Sequence, residues 1–312
     1  MSKTNQGILL LLIQMALSSA IFSQQDTQYT QYIYSTSSIN PAYAGSRNGL
    51  SLAALHRSQW AGLDGAPTTL TLNVHSPIGY RGVSLGFSIL NEQIGPTSET
   101  YFDVDFSYTI KLDRSSNLAL GLKASTHFLD VRFSALNQDT SMGYDILLQQ
   151  DIDNKFSPNV GAGLFYYTNT FYAGISVPRI LETKHFKASS ISTASERSTY
   201  YIMAGHITNV NPSLQFKPAI LTKVVMGAPL QIDVSANFMM NDKFLFGVGY
   251  RWDAAWNAIF GFNLSDGILL GLAYDREVTA LGNTEFNAGS FEVLLRFELL
   301  KEYSRNKKQP FF

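Results

Sequence analysis

The chain has 312 residues, a formal net charge of −1 at pH 7, no cysteine, and 15% charged residues where typical soluble domains have about 25%. The lack of cysteine excludes a disulfide framework, a thiolate metal site and a lipid anchor on cysteine, and the lack of a polybasic block argues against nucleic-acid binding. Aromatic residues reach 13%, a surplus that transmembrane β-barrels place in girdles at both membrane interfaces.

The amino terminus has the layout of a secretory signal peptide. Lys3 provides the positive charge, residues 8–17 are mainly apolar, and small residues precede a cleavage site near Ser23. We predict a signal peptide over residues 1–23, with a buried first helix as the alternative. Elsewhere no stretch reaches about 18 consecutive apolar residues, so a membrane-embedded chain would have to cross as strands.

Alternating polarity marks the strands. Between residues 101 and 112, polar side chains occupy most odd positions and apolar side chains the even ones, as in Phe102 and Asp103. A helix would mix the two sets on every face, whereas a strand separates them. Residues 230–240 and 291–299 repeat the pattern. Segments of about eleven residues match a tilted strand that crosses a bilayer.

From this pattern and weaker copies of it we predict fourteen strands. They lie at residues 49–58, 68–77, 83–91, 101–112, 117–127, 158–168, 171–179, 199–209, 214–225, 229–240, 244–252, 256–264, 267–275 and 289–300. Pro218 would fall inside the ninth strand, so we place a bulge or a barrel rim there. Pro178 would lie where a strand meets its loop.

Loop lengths predict the orientation. Compact polar turns follow the fourth, sixth, tenth and twelfth strands. The long connections all fall on the alternate side, at residues 129–157, 180–198 and 276–288. Because such barrels have short periplasmic turns and long outward loops, we predict that the chain enters from the periplasm. The expected fold is all-β: an antiparallel transmembrane β-barrel of about fourteen strands over residues 49–300 in the outer membrane, with a periplasmic tail at 301–312. A soluble β-sandwich is the alternative.

Charged side chains on the strands should face the lumen, because a charge on the lipid-facing surface costs a few kcal/mol near the middle of the bilayer. The charged residues that we expect in the lumen are Asp103, Asp105, Lys111, Lys123, Asp233, Arg251, Glu292, Arg296 and Glu298. Their mixed sign is compatible with salt bridges that rigidify a closed barrel and with a polar channel lining.

The sequence offers no constellation for catalysis. The five histidines are scattered over strands and loops without an HExxH pair, and the chain contains neither GxSxG nor a P-loop. His75 and His206 fall at strand positions and would meet only by coincidence of the fold. We therefore predict no catalytic, cofactor-binding or metal-binding residue, and a protein that is not an enzyme.

The segment before the first strand, residues 24–48, differs in kind. Its proline and glycine oppose regular structure, and its tyrosines favour apolar contact on one face. We predict a periplasmic lead-in segment that plugs the barrel or docks a partner. A plain lead-in packed on the barrel end is the alternative.

Several motifs resemble those of a known family. Residues 40–45 read Asn-Pro-Ala-Tyr-Ala-Gly, and residues 57–69 contain Arg-Ser-Gln-Trp-Ala-Gly-Leu-Asp-Gly-Ala-Pro-Thr-Thr. His-Ser-Pro at 75–77, Asn-Glu-Gln-Ile-Gly-Pro at 91–96 and Tyr274-Asp275 follow. Together they resemble the PorP/SprF family of type IX secretion outer-membrane proteins over residues 26–298. Two departures stand out: Phe291 replaces a histidine of the family's closing Gly-Ser-His-Glu pattern, and a tail extends beyond Phe297.

The resemblance implies an outer-membrane barrel that works with type IX secretion and gliding components, in many cases paired with a secreted surface adhesin carrying a C-terminal sorting domain. Our leading hypothesis is a non-enzymatic accessory or anchor for secretion and surface attachment of such an adhesin. The alternative is a channel or transporter for small hydrophobic or polar solutes. As partner-binding residues we select Trp60, Asp64, Pro67 and Tyr43, although Asp64 and Pro67 are also ordinary turn formers.

Overall fold

The structure is a computed structural model that describes residues 28–47, 49–79, 81–135, 151–182, 197–279, 282, 284 and 287–300. The predicted signal peptide and the predicted tail at 301–312 lie outside these residues, as do the middle portions of the loops predicted at 129–157 and 180–198. No helix among the described residues is long and apolar enough to cross a membrane.

Strands dominate the described chain. They are β1 Gly49–Ser58, β2 Thr68–Pro77, β3 Val83–Ile94, β4 Thr97–Lys111, β5 Asn117–Val131, β6 Ile152–Tyr167, β7 Phe171–Val177, β8 Thr199–His206, β9 Thr208–Asn211, β10 Leu214–Val225, β11 Gln231–Met240, β12 Phe244–Arg251, β13 Ala255–Ser265, β14 Ile268–Glu277 and β15 Ser290–Leu300. Four 3-10 turns accompany them: Tyr32–Tyr34, Thr36–Ser38, Pro41–Tyr43 and Phe133–Ala135.

The sheet closes on itself. Each strand pairs antiparallel with the next, except that β8 and β9 both pair with β10, and β1 pairs with β15 from Gly49 opposite Leu300 to Ser58 opposite Phe291. The short β9 continues β8 along the same edge of β10. Because β8 and β9 together occupy one strand position, the barrel has fourteen strand positions. Closure removes every free edge, as a sheet surrounded by lipid requires. The predicted fourteen-stranded barrel is confirmed.

The two faces of the wall differ as the alternation predicts. On β4, Asp103 and Asp105 are buried, whereas Val104 and Phe106 are 50% and 44% exposed. Most of the charged residues predicted for the lumen are buried. Two depart from this pattern: Lys111 is exposed at the end of β4, and Arg296 is partly exposed.

One of the two predicted proline positions differs from expectation. Pro178 directly follows β7, as predicted. Pro218 keeps regular register with Ala236 of β11, so the predicted bulge or rim at Pro218 is wrong. The pairing of β10 with β8 and β9 instead skips positions 217 and 218, because Pro218 has no N–H to donate. The irregular register lies nearby, between Leu214 and Gln215.

Candidate functional site

Residues 28–47, here called the lumenal segment, lie inside the barrel. The tyrosines Tyr29, Tyr32, Tyr34 and Tyr43 are each at most 6% exposed. The sequence placed residues 24–48 on the periplasmic side and left open whether they plug the barrel or dock a partner; the described part fills the lumen.

Local hydrogen bonds shape the Asn-Pro-Ala-Tyr-Ala-Gly motif. The Asn40 side-chain oxygen accepts the Ala42 N–H at 3.0 Å and caps the 3-10 turn that Pro41 begins. The Asn40 amide also donates to the Leu164 carbonyl of β6 at 3.0 Å. Gly45 then turns the chain with a φ of +78°, a conformation that favours glycine. One asparagine thus shapes the motif and binds it to the wall.

Glycines in the wall make room for this motif. A Cβ added to Gly121 of β5 would fall on the Ala42 backbone, and a Cβ added to Gly163 of β6 would overlap the Asn40 side chain. The motif therefore rests directly on the strand backbone, a close approach that only glycine permits.

A buried polar cluster holds one end of the lumenal segment. Both carboxylate oxygens of Glu292 accept backbone N–H groups, from Thr30 at 2.7 Å and Gln31 at 2.9 Å. The Thr30 hydroxyl donates to Asp275 at 2.5 Å. Arg57 pairs with Asp275 at 2.8 Å and with Glu292 at 2.7 Å. Breaking such a buried pair by removing one partner costs about 3–5 kcal/mol.

A second ion pair holds the other end. Arg47 donates two hydrogen bonds to Glu298 of β15, at 2.7 and 2.9 Å. The Gly45 N–H donates to His75 Nδ1 at 3.1 Å, and the Tyr43 ring packs edge-on against the His75 ring.

These contacts reach opposite walls of the barrel. Asn40 binds β6, whereas Thr30 binds β14. These two strands are seven strand positions apart in the barrel of fourteen positions. A chain of buried side chains that bridges a full diameter occupies the position that solute would take in an open pore.

Ion pairs within the wall account for further lumenal charges. Lys123 lies 3.0 Å from both Asp103 and Asp105, and Arg251 lies 2.7 Å from Asp233. Of the two interpretations of the mixed-sign interior, these pairs match the one in which salt bridges rigidify a closed barrel.

The loop at 59–67 carries three of the four residues selected for partner binding. Asp64 is exposed, Trp60 is half-buried, and Pro67 is buried. The Trp60 indole N–H donates to Glu277, which ties the loop to the end of β14. Tyr43 is separate from them, because it is 3% exposed and packs inside the lumen on His75 and Phe165.

The histidines do not converge where the structure describes them. His75 faces the lumen, whereas His206 is exposed and bonds Thr208 at 3.0 Å. His185 lies outside the described residues. Within the described part of the chain, no group of three His, Asp or Glu side chains is placed to hold a metal ion.

A family model decides the classification. The model described as "Type IX secretion system membrane protein PorP/SprF" matches residues 21–297. The chain belongs to the PorP/SprF family. It is thus a type IX secretion-associated barrel of the outer membrane. Comparison with the curated proteins found no match.

Several solved outer-membrane proteins align with most of this PorP/SprF member. The CymD monoaromatic hydrocarbon channel is 11% identical with a TM-score of 0.50, over 84% of this chain and 92% of CymD. Omp33 of Acinetobacter baumannii is 8% identical with a TM-score of 0.47, over 82% of this chain and 100% of Omp33. The NanC porin is 12% identical with a TM-score of 0.39, over 80% of this chain and 100% of NanC. At these identities the likeness concerns the fold alone.

Proposed function

We propose that this barrel is not an enzyme and that it serves as an accessory or anchor for the secretion and surface attachment of a type IX-secreted adhesin with a C-terminal sorting domain. It would act together with components of the secretion and gliding machinery. The single observation that carries the proposal is the filled lumen. The lumenal segment binds strands on opposite walls, which favours an attachment role over solute transport.

The loop at 59–67 is the proposed contact for the adhesin. Asp64 is exposed there, and the loop is fixed on both sides: Ala61 N–H donates to Gly289 at 2.8 Å, and Gly95 N–H donates to Gly65 at 2.9 Å. A loop held in one conformation binds with less loss of entropy than a mobile one.

Deletion of the gene tests the proposal. We expect surface display of one large adhesin to be lost while uptake of small solutes stays normal, and we expect the unmodified gene to restore display. Adhesin display that is unchanged in the deletion strain would refute the anchor.

The rival function is a channel or transporter for small solutes, and conductance separates the two. In planar bilayers the full-length protein should remain silent, whereas a variant lacking residues 28–46 should conduct because the wall would then enclose an open lumen. Steady conductance or ligand-gated opening of the full-length protein would favour the channel.

A further inference from the structure

The lumenal segment has a direction along the barrel axis. The short connections after β2, β4, β6, β11 and β13 define one end of the barrel, here called the short-turn end. The connections after β1, β5, β7 and β14 define the other, here called the long-loop end. The first and last contacts of the lumenal segment can be assigned to these ends from their positions on the strands.

The earliest described residues lie towards the long-loop end. Gln28 donates to Gln231 at 2.6 Å, and Gln231 is the first residue of β11 at that end. Tyr29 shares a hydrogen bond of 2.8 Å with Thr71, near the start of β2. The partners of Thr30, Asp275 and Glu292, lie close to the connection between β14 and β15.

The last residues lie at the short-turn end. Gly45 bonds His75 in the final part of β2. Arg47 bonds Glu298, two residues before the end of β15. Gly49 then begins β1 at the same end. Residues 28 and 47 therefore lie towards opposite ends of the lumen, and β1 starts from the short-turn end.

We infer that the amino-terminal end of the lumenal segment, at Gln28, faces the cell surface rather than the periplasm, because it lies towards the long-loop end of the barrel. This topology is independent of the proposed adhesin, because it follows from the order of contacts along the lumenal segment.

Cysteine labelling tests the topology, and the natural chain has no cysteine to interfere. Intact cells carrying Gln28→Cys would be treated with a maleimide on a polymer too large for porins. Thr279→Cys, in the connection after β14 at the long-loop end and outside the proposed adhesin-binding loop, is the positive control. Ser115→Cys in the short turn after β4 is the negative control, and it should react only after the outer membrane is permeabilised. Both positions are exposed.

We expect Gln28→Cys to react in intact cells, as Thr279→Cys does. Reaction only after permeabilisation, together with Ser115→Cys, would overturn the inference. Because Gln28 is half-buried, a peptide epitope inserted directly before it provides a second measurement. Antibody binding to that epitope on intact cells supports the surface location, and binding only in lysed cells overturns it. Normal or lost adhesin display in these strains bears on the proposed function alone.

Discussion

The backbone N–H of Thr30 donates a 2.7 Å hydrogen bond to the carboxylate of Glu292, although 262 positions separate the two residues. The bond joins the beginning of the lumenal segment to the last strand of the barrel. Since the same carboxylate also pairs with Arg57 of the first strand, one side chain connects the filled lumen with the closing seam.

Replacement of Glu292 by glutamine should destabilise the barrel. A neutral amide cannot pair with Arg57, and its NH₂ group cannot accept the second backbone N–H, so we expect a loss of about 3 kcal/mol in the free energy of unfolding. Urea unfolding in detergent micelles, followed by tryptophan fluorescence, measures it. Asp266→Asn, in the exposed turn between β13 and β14, is the matched control. Equal stability of both variants would contradict the buried cluster.

Gly163→Val should displace the Asn-Pro-Ala turn from the wall. The new side chain would occupy the space of the Asn40 amide, so we expect backbone amides at 40–46 to exchange hydrogen about tenfold faster, equal to about 1.4 kcal/mol of local stability. Mass spectrometry of peptic fragments measures the exchange. Ala162→Val, one residue away on the lipid-facing side, should leave it unchanged. Similar exchange in the two variants would argue against direct packing of Asn40 on β6.

Gly45→Ala should cost more stability than Gly79→Ala. Both glycines have positive φ, +78° and +71°, so each substitution carries a backbone penalty of roughly 1–2 kcal/mol. Only at Gly45 would the added Cβ also collide, with Ser84 of β3, whereas nothing lies near it at Gly79. The difference between the two losses in unfolding free energy measures the steric cost of the contact between Gly45 and Ser84. Equal losses would mean that Gly45 is not packed closely against β3.

Asp64→Lys should reduce attachment of the proposed adhesin. Asp64 is exposed, so reversing its charge should leave the barrel folded. We expect it to weaken binding of the adhesin about tenfold, or about 1.4 kcal/mol. Adhesin on intact cells and barrel in isolated outer membranes would be quantified together. Asp266→Lys at the short-turn end should leave adhesin display unchanged; a loss in both variants would indicate a nonspecific charge effect.

The strands of the barrel wall were predictable because lipid on one face and a polar lumen on the other make side-chain polarity alternate with a period of two residues. The bounds of β1 and β2 agree with the prediction, at 49–58 and 68–77. The strands β3 to β6 extend further than predicted, because polar residues such as Glu92 and Glu99 continue the pairing where alternation has ended. Backbone hydrogen bonds hold these hairpin tips together, and backbone bonding leaves no signature in side-chain polarity.

The route of the lumenal segment was not predictable in the same way. Its three short 3-10 turns have no period, and its partners lie up to 262 positions away. The sequence did contain one usable signal: Gly161 and Gly163 interrupt an otherwise bulky strand, and the structure places Asn40 against the second of them. A glycine that lies inside a strand, away from any turn, indicates that another backbone approaches it closely.

The descent of the lumenal segment into β1 has a mechanical consequence. A tensile load directed outward at Gln28 would first be carried by the bonds of Thr30 and Gln31 to Glu292 and then by the pair of Arg47 with Glu298. Only after these had broken would it draw Gly49 back along the lumen and open the ten residue pairs between β1 and β15 from that end. The lumenal contacts therefore shield the closing seam of the barrel from force.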